Sequence, residues 1–224
     1  MSSTIKSKNN DDLPFEIDIQ DLQNLTKRKS NNYIVVNEIC EDTVSDFRED
    51  FFRLEYSDQE IIPIIVDSYG GDVYALHSML SIIESSTKKV ATICDGKAFS
   101  CGAVLLSAGD HGMRFISKYG YVLVHQVSHE YYGKFSDIAV SAEHCHELNS
   151  NLLLMLDKNC KKKPGHFEKM VIKHNNADLY LDAKTAHQLG IVDHIGVPRL
   201  KIETQKTEQT MLLSYAKKNR LRKR

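Results

Sequence analysis

The stretch IIPIIVDSYGGDVYALHSMLSIIESS, residues 61–86, sets the fold class. Ile61 to Val66 is an unbroken apolar run closed by Asp67 and Ser68, the pattern of a strand buried on both faces. Gly70 and Gly71 follow. Then Val73, Leu76, Leu80 and Ile83 recur at helical spacing, with Asp72 placed to cap the first turn. A buried strand that turns through glycines into an amphipathic helix is the basic unit of an α/β protein.

The flanking sequence repeats the alternation. YIVV (33–36) reads as a short strand, and Val44, Phe47, Phe51 and Leu54 mark one face of a helix. KKVATICDG (88–96), MRFIS (113–117) and YVLVHQ (121–126) read as strands, and an apolar helix follows Ser100. Residues 137–160 read as a long helix with Ile138, Ala142, Cys145, Leu148, Leu152 and Leu156 along one stripe. HFEKMVIKH (166–174) is a further helix. DAKTAHQLG (182–190) is a short one, capped by Asp182 and closed by Gly190, and IVDHI (191–195) a last strand. Strands alternating with helices predict an α/β fold with right-handed crossovers.

Composition narrows the class. With 224 residues, 42% hydrophobic and 26% charged, the chain suits one soluble domain with added tails. No apolar run approaches the roughly 18 residues of a membrane span, and the N-terminus carries no apolar signal segment. Five Cys without a CxxC pair fit a reduced, cytoplasmic setting. Residues 1–30 are polar and read as an arm, and residues 31–196 hold the folded domain. Residues 197–224 form a basic tail, with nine Lys/Arg against two Glu where the whole chain carries −1. A solvated tail is its simpler reading; contact with an acidic partner face or nucleic acid is the other.

Three segments carry candidate chemistry. In DSYGGD (67–72) the glycines leave backbone N–H groups bare at a strand end, which suits an oxyanion, although taken alone a structural turn is the simpler reading. In GKAFSCGAVLLSAG (96–109) Ser100 stands where a helix begins, among small residues. It is either an N-cap or a nucleophile beside unbonded helix amides. His125 ends an alternating strand 25 residues later, at the end of an open sheet where ligands bind. An acid that fixes its tautomer is offered by Asp178 or Asp182; Asp182 has a capping role, so Asp178 is preferred. The His144-Cys145-His146 run splays its rings on a helix, and no HExxH or phosphate-binding loop occurs, so no metal is expected.

Taken in order, DSYGGDVYAL, ATICDGKAFSCGAVLLSAG, YVLVHQ and DLYLDAKTAHQLGIVDHI resemble the proteolytic subunit of the Clp protease (ClpP), from about Tyr33 to Ile195. A virus-encoded ClpP-like peptidase is similar in the same way. The resemblance implies a ClpP/crotonase-type fold of repeated β-β-α units with a protruding strand-helix handle after His125. It implies a serine endopeptidase in which Ser100 is the nucleophile, His125 the base and Asp178 the third member. The amides of Gly71 and Cys101 would form the oxyanion hole, with Gly70 shaping the turn. It also implies homo-oligomeric, stacked seven-membered rings and an AAA+ unfoldase partner of the ClpX/ClpA/ClpC type that feeds in polypeptide. ATP would be used by that partner, and no cofactor is implied on this chain. Neither membrane nor nucleic acid is an expected partner.

The sequence departs from the family pattern in places. Tyr69 and Val127 replace usual prolines, and VSHEYYGKF (127–135) replaces a glycine-rich handle tip. These changes touch ring pairing and unfoldase choice rather than the triad. The competing readings are a crotonase-fold acyl-CoA enzyme and a non-catalytic ring subunit.

Overall fold

A computed structural model of the protein describes residues 32–128 and 130–200. The arm at 1–30 and nearly all of the basic tail lie outside the described residues.

The described elements run β1 (Ile34–Val36), α1 (Glu41–Glu55), β2 (Ile61–Val66), α2 (Val73–Glu84), β3 (Lys89–Cys94) and β4 (Lys97–Phe99). They continue with α3 (Cys101–Ser107), β5 (Arg114–Ile116), β6 (Tyr121–Val124), α4 (Phe135–Asn159), α5 (His166–Lys173), β7 (Leu179–Asp182), α6 (Ala183–Leu189) and β8 (His194–Ile195). β1, β2, β3, β5 and β8 form one parallel sheet in that order. β4, β6 and β7 form a second, smaller sheet, with β6 parallel to β4 and antiparallel to β7.

The β-β-α repeat is visible in how each unit divides its strands. β3 joins the large sheet, β4 the small one, and α3 follows. β5 and β6 divide the same way before α4. In the first unit β2 runs on to Ser68, which bridges Ala98 of β4, and α2 follows. Each unit thus delivers a chain end to the small sheet's rim.

Burial follows the apolar spacing. Ile62, Ile64 and Val66 of β2 are fully buried between strand neighbours and the helices. Val44, Phe47, Phe51 and Leu54 seat α1, and Ala75, Leu76, Met79, Ile82 and Ile83 seat α2. Each such side chain contributes about 1.5–3 kcal/mol of transfer free energy. Asp72 caps α2 by accepting from the Ala75 amide at 2.7 Å.

Three expectations need correction. The apolar stripe of the long helix is buried only in its C-terminal half, at Leu152 and Leu156, where α4 packs on α3 and α5. Ile138 and Ala142 are exposed and Cys145 and Leu148 half-buried, because this end of α4 runs out beyond the body. The handle therefore has its helix but lacks its strand. No described residue from His125 to Lys134 is in a strand, since none of the named sheets pairs with this segment. The last strand is also shorter than IVDHI: Ile191 and Val192 are buried outside a ladder, and only His194–Ile195 pair with β5.

Two acids, Asp157 buried and Asp193 partly so, hold the C-terminal half. Asp157 of α4 accepts from the amides of Gly165 (2.7 Å), His166 (3.1 Å) and Phe167 (3.0 Å), capping α5 from outside, because that helix begins at a glycine. Asp193 pairs with Arg114 at 2.6 Å, while the guanidinium also donates to the carbonyl of Asn159 at 3.0 Å. Burial would raise the Asp193 carboxyl. The Arg114 hydrogen bonds, the Gly112 amide and the guanidinium charge outweigh it and hold it down at about 2.

Two predictions follow from these acids. Asp157→Ala leaves three amides without their acceptor and lowers the unfolding free energy in urea by about 2–3 kcal/mol. The Asp193 pair contributes about 2 kcal/mol that is fully present above the unfolded carboxyl's pKa near 4 and is lost as pH falls toward 2. Urea midpoints of wild type and Asp193→Asn therefore differ most above pH 5 and draw together as pH falls from 4 to 2.

Candidate active site

The small sheet brings the three candidate segments together. β4 and β6 are parallel, with Phe99 beside Leu123, so both chains leave the sheet at the same end. Ser100 follows β4 there, and its amide donates to the Leu123 carbonyl at 2.9 Å. His125 follows β6 at that end. β7 runs the other way, pairing Val124 with Leu179, so the residue opposite His125 in the same register is Asp178. Directly opposed residues have Cβ atoms about 4.5–5.5 Å apart. His125 Nδ1 lies 3.6 Å from Asp178 Oδ1, with the imidazole 25% and the carboxylate 53% exposed.

Asp182, the alternative acid, is opposite Tyr121 at the far end of the ladder. Four strand positions separate it from Asp178, about 13 Å. Its carboxylate accepts from the Thr185 amide at 2.8 Å, and the Thr185 hydroxyl and amide hold it below the ordinary range. It is the cap of α6.

Ser100 occupies the N-cap position of α3, but its hydroxyl makes no capping bond, and its φ of 56° and ψ of −121° are far from the extended backbone of an ordinary cap. A non-glycine residue held there costs on the order of 1–3 kcal/mol, and such residues cluster at functional sites. Ser100 and His125 line the same cleft.

The glycine turn packs directly against Ser100. Gly70 has φ +104°, and a Cβ there would come within 2.8 Å of the Phe99 carbonyl oxygen and of Ser100 Cβ. Gly71 has φ +144°, and its Cβ would meet the Ile39 carbonyl oxygen at 2.1 Å. Only glycine fits at either position. The Gly70 amide donates to the Ser68 hydroxyl at 3.0 Å, which leaves Gly70 shaping the turn. The Gly71 carbonyl accepts from the Cys101 thiol at 3.2 Å, tying the turn to the first residue of α3. As the first helical residue, Cys101 has an amide without an intrahelical acceptor.

The cleft has a volume of about 520 Å³ and runs from Ser100, Cys101 and His125 to Tyr74 on α2 and His144 on α4. Tyr74 Oη and His144 Nε2 meet at 2.6 Å across it. A smaller apolar cavity of about 20 Å³ lies beside Ser100 and His125 against Leu152 and Leu156, with room for about one water. No group of three or more His, Cys, Asp or Glu side chains among the described residues is placed to hold a metal ion.

Two positioning residues escaped the sequence reading. Ser68 is fully buried and bridges β4 to the glycine turn. Asn149, buried on α4, accepts from the Val127 amide at 3.0 Å and so ties the segment after His125 to the helix. An Asn one residue after Leu148 of the apolar stripe was the available signal.

A family profile described as Clp protease matches residues 19–199 of the 224. The chain belongs to the Clp protease family. That membership makes it a ClpP-type peptidase by class and agrees with the mixed α/β fold and its parallel sheet. In this Clp protease relative no described helix is long and apolar enough to cross a membrane.

The Cys101 thiol beside Ser100 is not a ready nucleophile. Burial, followed by the charge of Asp72, pushes the Cys101 thiol up to about 11, so it is protonated at neutral pH. Iodoacetamide at pH 7.5 is therefore expected to alkylate half-exposed Cys40 at least tenfold faster than Cys101 in the folded protein. Peptide mapping by mass spectrometry reads this out, and equal rates would contradict it.

Proposed function

We propose that the chain is a serine endopeptidase that hydrolyses peptide bonds of unfolded polypeptides through Ser100, His125 and Asp178. The observation that carries the reading is the convergence of these three residues at one rim of the small sheet, beside a turn that only glycine can form. His125 Nδ1 faces Asp178, so its N–H is directed there and Nε2 is the atom left for the Ser100 proton. Ser100 Oγ attacks the carbonyl carbon as its proton passes to Nε2. The carbonyl oxygen takes the negative charge beside the amides of Gly71 and Cys101. Loss of one such donor costs roughly 3–4 kcal/mol in the barrier. The imidazolium then protonates the leaving amine, and water, deprotonated by the same nitrogen, releases the acyl group. The hydroxyl–imidazole hydrogen bond is expected to tighten when substrate binds.

The same reading assigns the projecting half of α4, with exposed Phe135, Ile138 and Val140, to contact between subunits of a stacked-ring assembly. An AAA+ unfoldase that hydrolyses ATP would deliver the substrate, since this chain carries no phosphate-binding loop.

A fluorophosphonate probe tests the chemistry. Labelling is expected at Ser100 and is lost in Ser100→Ala and His125→Ala. Asp178→Ala lowers the labelling rate by about 10³–10⁴-fold, by analogy with the loss of triad geometry elsewhere, whereas Asp182→Ala lowers stability by about 1 kcal/mol and leaves labelling intact. Normal particles without labelling would instead indicate a non-catalytic ring subunit.

A further inference from the structure

We propose that the outer face of the small sheet, beside His125 and Asp178, is a subsite for an aromatic or large apolar side chain on the leaving-group side of the scissile bond. This rests on the peptidase reading above.

The argument begins with the pleat. Ala98, Val122, Val124 and Leu181 face the core and are buried. The alternate residues stand on the opposite face, where the ladder sets Phe99, Leu123 and Tyr180 side by side in one row, Leu123 buried between its two aromatic neighbours. Two residues further along β6 and β7 on that same face stand His125 and Asp178. The row therefore lies roughly 6–7 Å from the proposed base and acid. Tyr69 extends the row from the glycine turn, with Phe99 edge-on to it at 5.8 Å and Tyr180 edge-on to Phe99 at 5.8 Å. Tyr69 is held from the other side by the Lys97 ammonium, 4.4 Å from its ring centroid, and that ammonium is fixed by Asp67 at 2.9 Å.

These rings are ordered by one another yet open to solvent, Tyr69 being 75% and Tyr180 59% exposed. A preformed aromatic surface of this kind binds a further ring or aliphatic chain without first having to be ordered. Its side of the site follows from the chemistry. The carbonyl oxygen must point at the Gly71 and Cys101 amides, and the leaving nitrogen must touch the imidazole that protonates it. The large cleft between α2 and α4 opens from Gly71, Cys101 and His125 and has Tyr69 on its wall. The aromatic row adjoins the imidazole. The side chain attached to the leaving nitrogen is the one that reaches Phe99 and Tyr180, with Tyr69 at the junction of the row and the cleft.

The test uses full-length protein and peptides that differ only in the residue after the cleaved bond, Phe or Ala. A Phe-over-Ala preference in kcat/KM is expected, and Tyr180→Ala and Tyr69→Ala each reduce that ratio about tenfold, the size of a lost aromatic contact. Both positions are exposed, so the fold tolerates truncation. An unchanged ratio overturns the proposal. So does a change in sedimenting particle mass with either variant, which would make the row a contact between copies of the chain. A second measurement needs no turnover: titration of the Ser100→Ala protein with the amine products Phe-Gly-Gly-amide and Ala-Gly-Gly-amide. Tighter binding of the Phe product, abolished by adding Tyr180→Ala, supports the subsite even if the fluorophosphonate leaves Ser100 unlabelled. Equal binding of both products overturns it even if Ser100 is labelled normally.

Discussion

The ladder between β6 and β7 is the constraint on which the site depends. Its four pairs, Tyr121 with Asp182 through Val124 with Leu179, fix which acid meets His125. A slip of β7 by one residue would turn Leu181 out of the core and bury Tyr180 and Asp182 in its place. Core burial and site geometry are thus enforced by the same register. The parallel pairing of β4 with β6 does the equivalent for Ser100, whose amide is anchored on the Leu123 carbonyl.

Around that frame the backbone is held in conformations that side chains ordinarily avoid. Ser100 at φ 56° and the glycine pair at φ +104° and +144° face one another across less than a side chain's width. Buried Ser68, the Cys101 thiol and the Ile39 backbone hold the turn in place, the Ile39 carbonyl accepting from the Asp72 amide at 2.7 Å. The cost of these conformations is offset by the surrounding core, where Ile39, Leu105 and Leu106 are fully buried. The site is therefore a product of rigid elements, while the helix end that projects beyond it is exposed.

Much of this was legible in the sequence because it is local. Continuous apolar runs marked the parallel strands, helical spacing marked α1 and α2, and Asp72, Asp182 and Gly190 marked helix ends. The preference for Asp178 over Asp182 rests on local reasoning about caps; the register sets Asp178 opposite His125 and Asp182 opposite Tyr121. What stayed hidden is non-local. The division of strands into two sheets depends on pairing partners far apart in the chain, so β4 and β7 carried no periodic signal in three or four residues. The stripe on α4 reads the same whether it faces a core or open space, and only tertiary packing shows that Leu152 and Leu156 are buried while Ile138 is not. That no described residue after His125 forms the expected strand has the same origin, because a strand needs a neighbour that the sequence of one segment does not reveal. The roles of Ser68, Asn149 and Asp157 belong to this class, each acting on backbone that a reading by periodicity leaves aside.

The most direct test of the proposed site is a crystal structure of the protein inactivated with a peptidyl fluorophosphonate. The adduct is expected on Ser100 Oγ, with the phosphoryl oxygen within about 3 Å of both the Gly71 and Cys101 amides and His125 Nδ1 still facing Asp178. An adduct on Ser100 whose oxygen points away from both amides, or an imidazole turned to another partner, would contradict it.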